Sequence, residues 1–144
     1  MFKRILVPTD VSELSNKAIA AAIEIARNLG ASLVGMTALE PYSYSNLSEY
    51  RPETLDDYES RMDQLGAQRL AKLADAAASA GVGVETIAIQ ACSPYEAIID
   101  TAKAKECDLI VMASHGRRGL NAILLGSETQ KVLTHSAVPV MVYR

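Results

Sequence analysis

Short apolar runs alternate along this chain with longer segments in which apolar residues recur every three or four positions. The runs predict β-strands, and the recurring positions predict helices. Ile5, Leu6 and Val7 are apolar without alternation, which is typical of a strand that is covered on both faces. The predicted strands cover residues 3–8, 33–39, 84–89, 108–113 and 138–143.

Four helical segments separate these strands. The first is marked by an apolar stripe from Ala18 to Leu29, and Gly30 ends it. The same spacing predicts a long helix over residues 55–81, a third helix from residue 94 and a fourth from residue 127. Alternating strands and helices favour an α/β fold with a parallel sheet.

Right-handed crossovers favour a doubly wound, Rossmann-like arrangement of these elements. We therefore expect a five-stranded parallel sheet in the order 3-2-1-4-5, with helices on both faces. The length of 144 residues suits one domain, so residues 1–144 are expected to form a single domain. In such sheets, ligands bind at the carboxyl ends of the strands.

Two helix starts have the sequence pattern of a capping box, in which the first residue and the fourth hydrogen-bond each other's backbone. Ser93 is followed by Pro94 at the first helical position and by Glu96, and Ser127 is followed by Gln130. We expect Ser93 and Ser127 to cap the third and fourth helices.

A glycine-containing loop, residues 114–125, leads from the fourth strand to the last helix. A helix start has free backbone N–H groups and a partial positive charge, and glycine allows close approach. Gly126, Ser127, Glu128 and Thr129 therefore form a candidate phosphate site.

The same loop carries a family resemblance. ATP-binding universal stress proteins have a glycine, two residues, a second glycine, nine residues, a third glycine and then serine or threonine. This chain has Ala113, two residues, Gly116, nine residues, Gly126 and Ser127, so the spacing matches and alanine replaces the first glycine. The chain also resembles the family at residues 5–10, 93–98 and 138–142.

The resemblance implies an adenine-nucleotide-binding regulator of the stress response. It places adenine and ribose near Asp10, Ala38, Met112 and Ala113, and the phosphates near Gly116 and the last helix. The ligand would be ATP, ADP or AMP, either alone or together with Mg²⁺. The candidate nucleotide-binding residues are Pro8, Thr9, Asp10, Ala38, Met112, Ala113, His115, Gly116, Arg117, Gly126, Ser127, Glu128 and Thr129.

Several of these residues also have plain structural interpretations. Gly116 and Gly126 could simply permit loop conformations, and Ser127 could be only a cap. Asp10 could cap the first helix, with Glu13 three residues further on. Arg117 is either a solvated loop residue or a phosphate contact.

Two other functions remain open beside the nucleotide-binding regulator. A methyl group at Ala113 could close the pocket, which would leave a nucleotide-free interaction protein of the same fold. An enzyme is disfavoured because a Walker lysine and a carboxylate cluster for Mg²⁺ are missing, although slow ATP hydrolysis stays open. Ser114 and His115 are adjacent, but adjacency alone makes no catalytic pair, and we predict no catalytic residue.

Charge and hydropathy exclude several partners. A net charge of −3, without a Lys/Arg block, argues against nucleic acid. No apolar stretch approaches the roughly 18 residues of a membrane span, and the run before Pro8 is too short for a signal peptide. We therefore expect a cytoplasmic protein that binds neither nucleic acid nor membrane. The histidines and cysteines lack metal-ligand spacing, so no metal site is predicted.

The last predicted strand, from Val138 to Tyr143, lies at an edge of the doubly wound order. It is apolar on both faces, and Pro139 suits an edge because it has no N–H to donate. An exposed apolar edge can pair with another chain. We expect a homodimer joined through this strand, as the family resemblance also implies, unless a loop covers the edge.

Overall fold

Five parallel strands and four helices alternate along the described part of the chain. The computed structural model describes residues 1–43, 53–116 and 124–144. The strands are β1 (Arg4–Pro8), β2 (Ser32–Leu39), β3 (Val84–Gln90), β4 (Leu109–Ala113) and β5 (Val140–Tyr143). The helices are α1 (Glu13–Leu29), α2 (Leu55–Ser79), α3 (Pro94–Ala104) and α4 (Ser127–His135).

The strands form one sheet in the order β3-β2-β1-β4-β5, with every neighbouring pair parallel. This confirms the predicted doubly wound order. The central strands are the most apolar, as expected where helices cover both faces. Ile5, Leu6, Ile110 and Val111 have no exposed surface.

Helices pack on both faces of the sheet. One apolar cluster joins α1 and α2 to the sheet through residues such as Ile19, Ala22 and Leu73. A second cluster joins α3 and α4 to the opposite face through Ile98 and Val132. Within the described ranges, no helix is long and apolar enough to cross a membrane.

The N-cap of helix α1 lies two residues after Asp10, so Asp10 does not cap the helix. Ser12 is the N-cap, and its hydroxyl accepts a hydrogen bond from the Ser15 N–H at 3.2 Å. Asp10 lies before the helix, and its carboxylate accepts from the Ser12 N–H at 3.0 Å. Asp10 therefore holds the turn that leads into the helix rather than its first turn.

Both predicted capping boxes are wrong. Ser93 occupies the N-cap position of α3 without a side-chain cap bond, because the Glu128 carboxylate of α4 accepts from the Tyr95 N–H at 2.9 Å instead. In α4 the N-cap is Gly126, and Ser127 is the first helical residue. The Gln130 side chain donates to the Leu125 carbonyl at 3.3 Å.

Strand β5 lies at the sheet edge as predicted, but it begins at Val140 rather than at Val138. The Ser136 hydroxyl bonds locally to Val138, accepting from its N–H at 3.0 Å and donating to its carbonyl at 2.8 Å. Pro139 has no N–H, although its carbonyl still accepts from Ile110 at 2.9 Å. These local bonds delay the start of the strand.

Charged groups close the amino edge of the sheet. Asp108 accepts from the Lys3 and Arg4 N–H groups at 2.8 and 3.1 Å. Burial alone would raise the pKa of Asp108, but these backbone bonds lower it overall. Glu85 accepts from Lys105 and from Arg4, and its hydrogen bond with Lys105 is the main cause that lowers its pKa. The open cleft described below lies at the opposite edge.

A close contact between α2 and β3 allows a test of this packing. A methyl group at Gly66 would lie 2.7 Å from the Ala88 Cβ. Gly66→Ala gains about 1 kcal/mol of helix propensity, but overpacking costs roughly 1–3 kcal/mol. We expect a net loss of about 1 kcal/mol in the free energy of unfolding, measured by chemical denaturation.

Two further variants separate the cost of overpacking from the gain in helix propensity. Ala88→Gly in the Gly66→Ala background should restore most of the loss, because it removes the other methyl. Ala67→Gly, on the exposed face of α2, measures helix propensity without the contact. A Gly66→Ala protein that is more stable than the parent would contradict the packing.

Candidate functional site

A cleft of about 750 Å³ opens at the carboxyl ends of the central strands. The ends of β1, β2 and β4, the first turn of α4 and one face of α2 line it. Arg117 lies outside the described residues. The other candidate residues all line the cleft: Pro8, Thr9, Asp10, Ala38, Met112, Ala113, His115, Gly116, Gly126, Ser127, Glu128 and Thr129.

The turn after β1 brings Asp10 to the cleft. The Thr9 N–H donates to the Met36 carbonyl at 2.8 Å, and the Thr9 and Ser15 hydroxyls are hydrogen-bonded at 2.8 Å. Val11 then adopts a φ of 59°, a left-handed conformation that is rare for a β-branched residue. Such strained backbone is held by its surroundings and concentrates at functional sites.

Gly116 allows the Asp10 carboxylate to approach the loop after β4. A Cβ atom at this position would lie 2.3 Å from Asp10 Oδ2. Any other residue here would displace the carboxylate. The close approach of the Asp10 carboxylate therefore explains why this position is glycine, independently of any ligand.

The N-terminus of α4 is fixed against the end of β4. The Gly126 N–H donates to the Ser114 carbonyl at 2.7 Å, and the buried Thr129 hydroxyl donates to the Ala113 carbonyl at 3.0 Å. A Cβ atom at Gly126 would lie 3.2 Å from the His115 Cα. Close approach at Gly126 thus brings the first turn of α4 to the cleft.

That first turn has N–H groups without helical partners, since the first residues of a helix lack a preceding turn. Gly126 provides no side-chain cap, and Ser127, Glu128 and Thr129 line the cleft. The Glu128 carboxylate is directed to the Tyr95 N–H and to Lys131, at 2.9 and 3.2 Å. The turn therefore presents amides and a partial positive charge, which suits an anion.

Ala113, which replaces the first motif glycine, is a buried residue at the end of β4. It lines the cleft, so its methyl group contributes to the wall. The backbone around it is firmly held, because the Ser114 N–H donates to the Tyr143 carbonyl at 2.8 Å. The Ala113 methyl group therefore belongs to a fixed part of the wall.

Ser114 and His115 form a hydrogen bond, Oγ to Nδ1, at 3.2 Å. Ser114 is only 3% exposed and is not part of the cleft wall, whereas His115 is. This pair does not present a hydroxyl nucleophile to the cleft. Among the described residues there is also no group of three or more His, Cys, Asp or Glu that could hold a metal ion.

The α2 wall of the cleft was missed by the sequence analysis. It consists of Tyr58, Arg61, Met62, Leu65 and Arg69. A signal was present, because positions 58, 62, 65 and 69 have helical spacing. Arg69 thus lies on the same face of the helix as the apolar stripe, although its side chain is charged.

The two arginines of this wall differ in their partners. Arg61 donates to both carboxylate oxygens of Glu53, at 2.8 and 3.0 Å, and lies over the Tyr58 ring at 5.1 Å. The hydrogen bond with Glu53 raises the pKa of Arg61. Arg69 has a different environment: its Nη1 is 3.5 Å from the Ala38 carbonyl, and its buried Nε has no hydrogen-bond partner among the described residues.

Comparisons with known proteins agree with this architecture. A profile of the universal stress protein family matches residues 1–144. Universal stress protein YxiE of Bacillus subtilis is 35% identical over the full length of both chains. Universal stress protein UspA from Lactobacillus plantarum has a similar structure, with a TM-score of 0.74 and 29% identity over 99% of this chain and 98% of that one.

Two solved structures with the same fold contain nucleotides. One is a universal stress protein in complex with cAMP, with a TM-score of 0.69 and 24% identity over 99% of this chain and 97% of that one. The other is from Archaeoglobus fulgidus in complex with dAMP, with a TM-score of 0.68 and 17% identity over 99% and 98%.

Proposed function

The chain belongs to the universal stress protein family, and we propose that it binds ATP, ADP or AMP in the cleft and acts as a cytoplasmic regulator. Residues 1–144 would form one such domain. We propose regulation rather than catalysis as its role, with slow hydrolysis as a side activity at most. Any Mg²⁺ would be held chiefly by the phosphates of the nucleotide.

One observation carries this proposal: the first turn of α4 opens, without a side-chain cap, into the cleft where β1, β2 and β4 end. Free amides there suit phosphate. The cleft volume of about 750 Å³ lies in the range of small-molecule sites. The cAMP and dAMP complexes of proteins with this fold support an adenine nucleotide as the ligand class.

The phosphate position can be tested at Gly126. Its backbone has φ −62° and ψ 151°, a conformation that aspartate adopts at helix N-caps. Gly126→Asp should therefore keep the fold, at some cost from the 3.2 Å contact of its Cβ with the His115 Cα, while it places a negative charge at the phosphates. We expect at least a tenfold loss of ATP affinity, about 1.4 kcal/mol, measured by calorimetry.

Gly126→Asn is the matched control, because it has the same shape and capping capacity without the charge. Gly126→Asn makes the same tight contact between its Cβ and His115, so a difference between the two variants reflects the charge alone. ATP should bind Gly126→Asn more tightly than Gly126→Asp. Equal affinities in two folded variants would contradict a phosphate site at this turn.

A second test concerns Ala113. Ala113→Gly should tighten ATP binding, because it removes the methyl group from the cleft wall. It should also lower stability by about 0.5–1 kcal/mol, since glycine is unfavourable inside a strand. Calorimetry and thermal melts should thus show affinity and stability changing in opposite directions.

Val111→Ala is the control for this test. Val111 lies in the same strand, fully buried in the α1 and α2 face, away from the cleft. It should lose stability without gaining affinity. If neither the parent nor Ala113→Gly binds ATP, ADP or AMP at millimolar concentration, the protein is a nucleotide-free interaction protein instead.

We further propose a homodimer joined through β5. Met141 is 43% exposed on this edge strand, whereas Val140 packs against the core beneath α3 and α4. Two copies related by a two-fold axis would pair their edges and cover this apolar surface.

Met141→Lys should convert a dimer to a monomer with the fold kept, whereas Val140→Lys should unfold the protein. Sedimentation velocity at tens of micromolar and circular dichroism measure the two outcomes. Leu133→Lys is the matched control, because Leu133 is 41% exposed on α4 rather than on the edge strand. A parent protein that sediments as a monomer would refute the dimer.

A further inference from the structure

The end of β2 presents a backbone carbonyl to the cleft. Alternate residues of a strand direct their polar groups to the same side. The Met36 carbonyl accepts from the Thr9 N–H, so the Ala38 carbonyl, two residues on, also faces the β1 side. The Leu39 carbonyl accepts from Ala91 and faces the β3 side, as this alternation requires.

Strand β1 has already ended at Pro8, so no strand continues opposite Ala38. The Arg69 Nη1 is the donor that the described residues offer to this carbonyl, and its distance of 3.5 Å makes a weak bond. A carbonyl in this position can accept a stronger hydrogen bond from a ligand.

Arg69 has unused donor capacity beside this carbonyl. Among the described residues, its buried Nε has no hydrogen-bond partner and its guanidinium forms no ion pair. A buried donor without an acceptor is unfavourable, because it has lost its hydrogen bonds to water. Arg61, on the same wall, is already held by Glu53. Of the two arginines on this wall, Arg69 is thus the one that no described carboxylate holds.

Distance separates this pair from the phosphate end of the cleft. β2 and β4 are separated by β1, and two strand spacings amount to about 10 Å. A nucleotide with its phosphates at α4 would therefore place its base, rather than its phosphates, near Arg69 and Ala38. The group that Arg69 meets is then a neutral acceptor on the purine.

We infer that Arg69 reads the adenine ring, beside the Ala38 carbonyl that the family resemblance already places near adenine. The exocyclic amino group donates to the Ala38 carbonyl, and Arg69 donates to an adjacent ring nitrogen, N7 or N1. Adenine presents this combination of a donor beside an acceptor. Arg69 would leave its weak bond with Ala38 to do so. This inference rests on the proposed nucleotide binding and adds a specificity-determining residue to it.

The inference can be tested with ATP, 7-deaza-ATP and 1-deaza-ATP, in which C–H replaces one ring nitrogen. One of the analogues should bind the parent protein about tenfold more weakly than ATP, since a hydrogen bond to a charged donor is lost. In Arg69→Met, ATP should bind about as weakly as that analogue, and the difference between the two ligands should disappear. Calorimetry gives all of these affinities.

Arg27→Met is the control, because Arg27 is exposed on α1 and lies outside the cleft wall. It should keep the discrimination of the parent. Thermal melts check that each variant is folded. A merely structural Arg69 would lower the affinities of all three ligands together and leave their ratios unchanged, which would overturn the inference.

The failure of this inference is distinguishable from that of the proposed function. If the parent does not bind ATP, nucleotide binding fails and the inference falls with it. If the parent binds ATP but discriminates against neither analogue, or still discriminates when Arg69 is methionine, only the role of Arg69 is refuted.

Discussion

The cleft depends on where β1 ends. This strand stops at Pro8, whereas the neighbouring strand β2 continues to Leu39. Its last hydrogen bond to β2 joins the Thr9 N–H to the Met36 carbonyl, whereas β2 remains paired with β3 as far as Leu39. The chain then turns at Val11, in a left-handed conformation. Pro8, Thr9 and Asp10, at this end of β1, line the cleft. Strand order makes this position the switch point, where crossovers on the two sides diverge.

Close approach keeps the walls of this space in place. Gly116 accommodates the Asp10 carboxylate, and Gly126 lies against the backbone of His115. The Thr129 hydroxyl then binds the end of β4. A fixed set of amides and carbonyls needs little reorganisation when a ligand binds, which favours affinity. The glycine spacing of the motif follows from these contacts.

The central strands could be predicted because continuous apolar runs reflect burial on both faces, and their order because right-handed crossovers favour a doubly wound sheet. The sequence predicted the cleft residues through spacing and resemblance, and the structure brings the described ones together. It failed at helix starts, where tertiary partners compete with local ones: Glu128 reaches the start of α3, and Ser93 is left without a cap bond. The α2 wall was missed because periodicity identifies a helix face without indicating what that face meets.

The chemistry of the cleft divides between backbone and side chains. The α4 amides and the Ala38 carbonyl are backbone groups, which many sequences can provide once the spacing is kept. Ala113, which stands where the motif has its first glycine, changes only the space beside these backbone groups. Asp10 and Arg69, by contrast, are charged side chains at the β1 and β2 ends of the cleft. In the proposed nucleotide complex, backbone groups would fix where the ligand lies, and these charged side chains would select which nucleotide binds. Differences in ligand choice within this fold should therefore depend more on these charged positions than on the glycine motif.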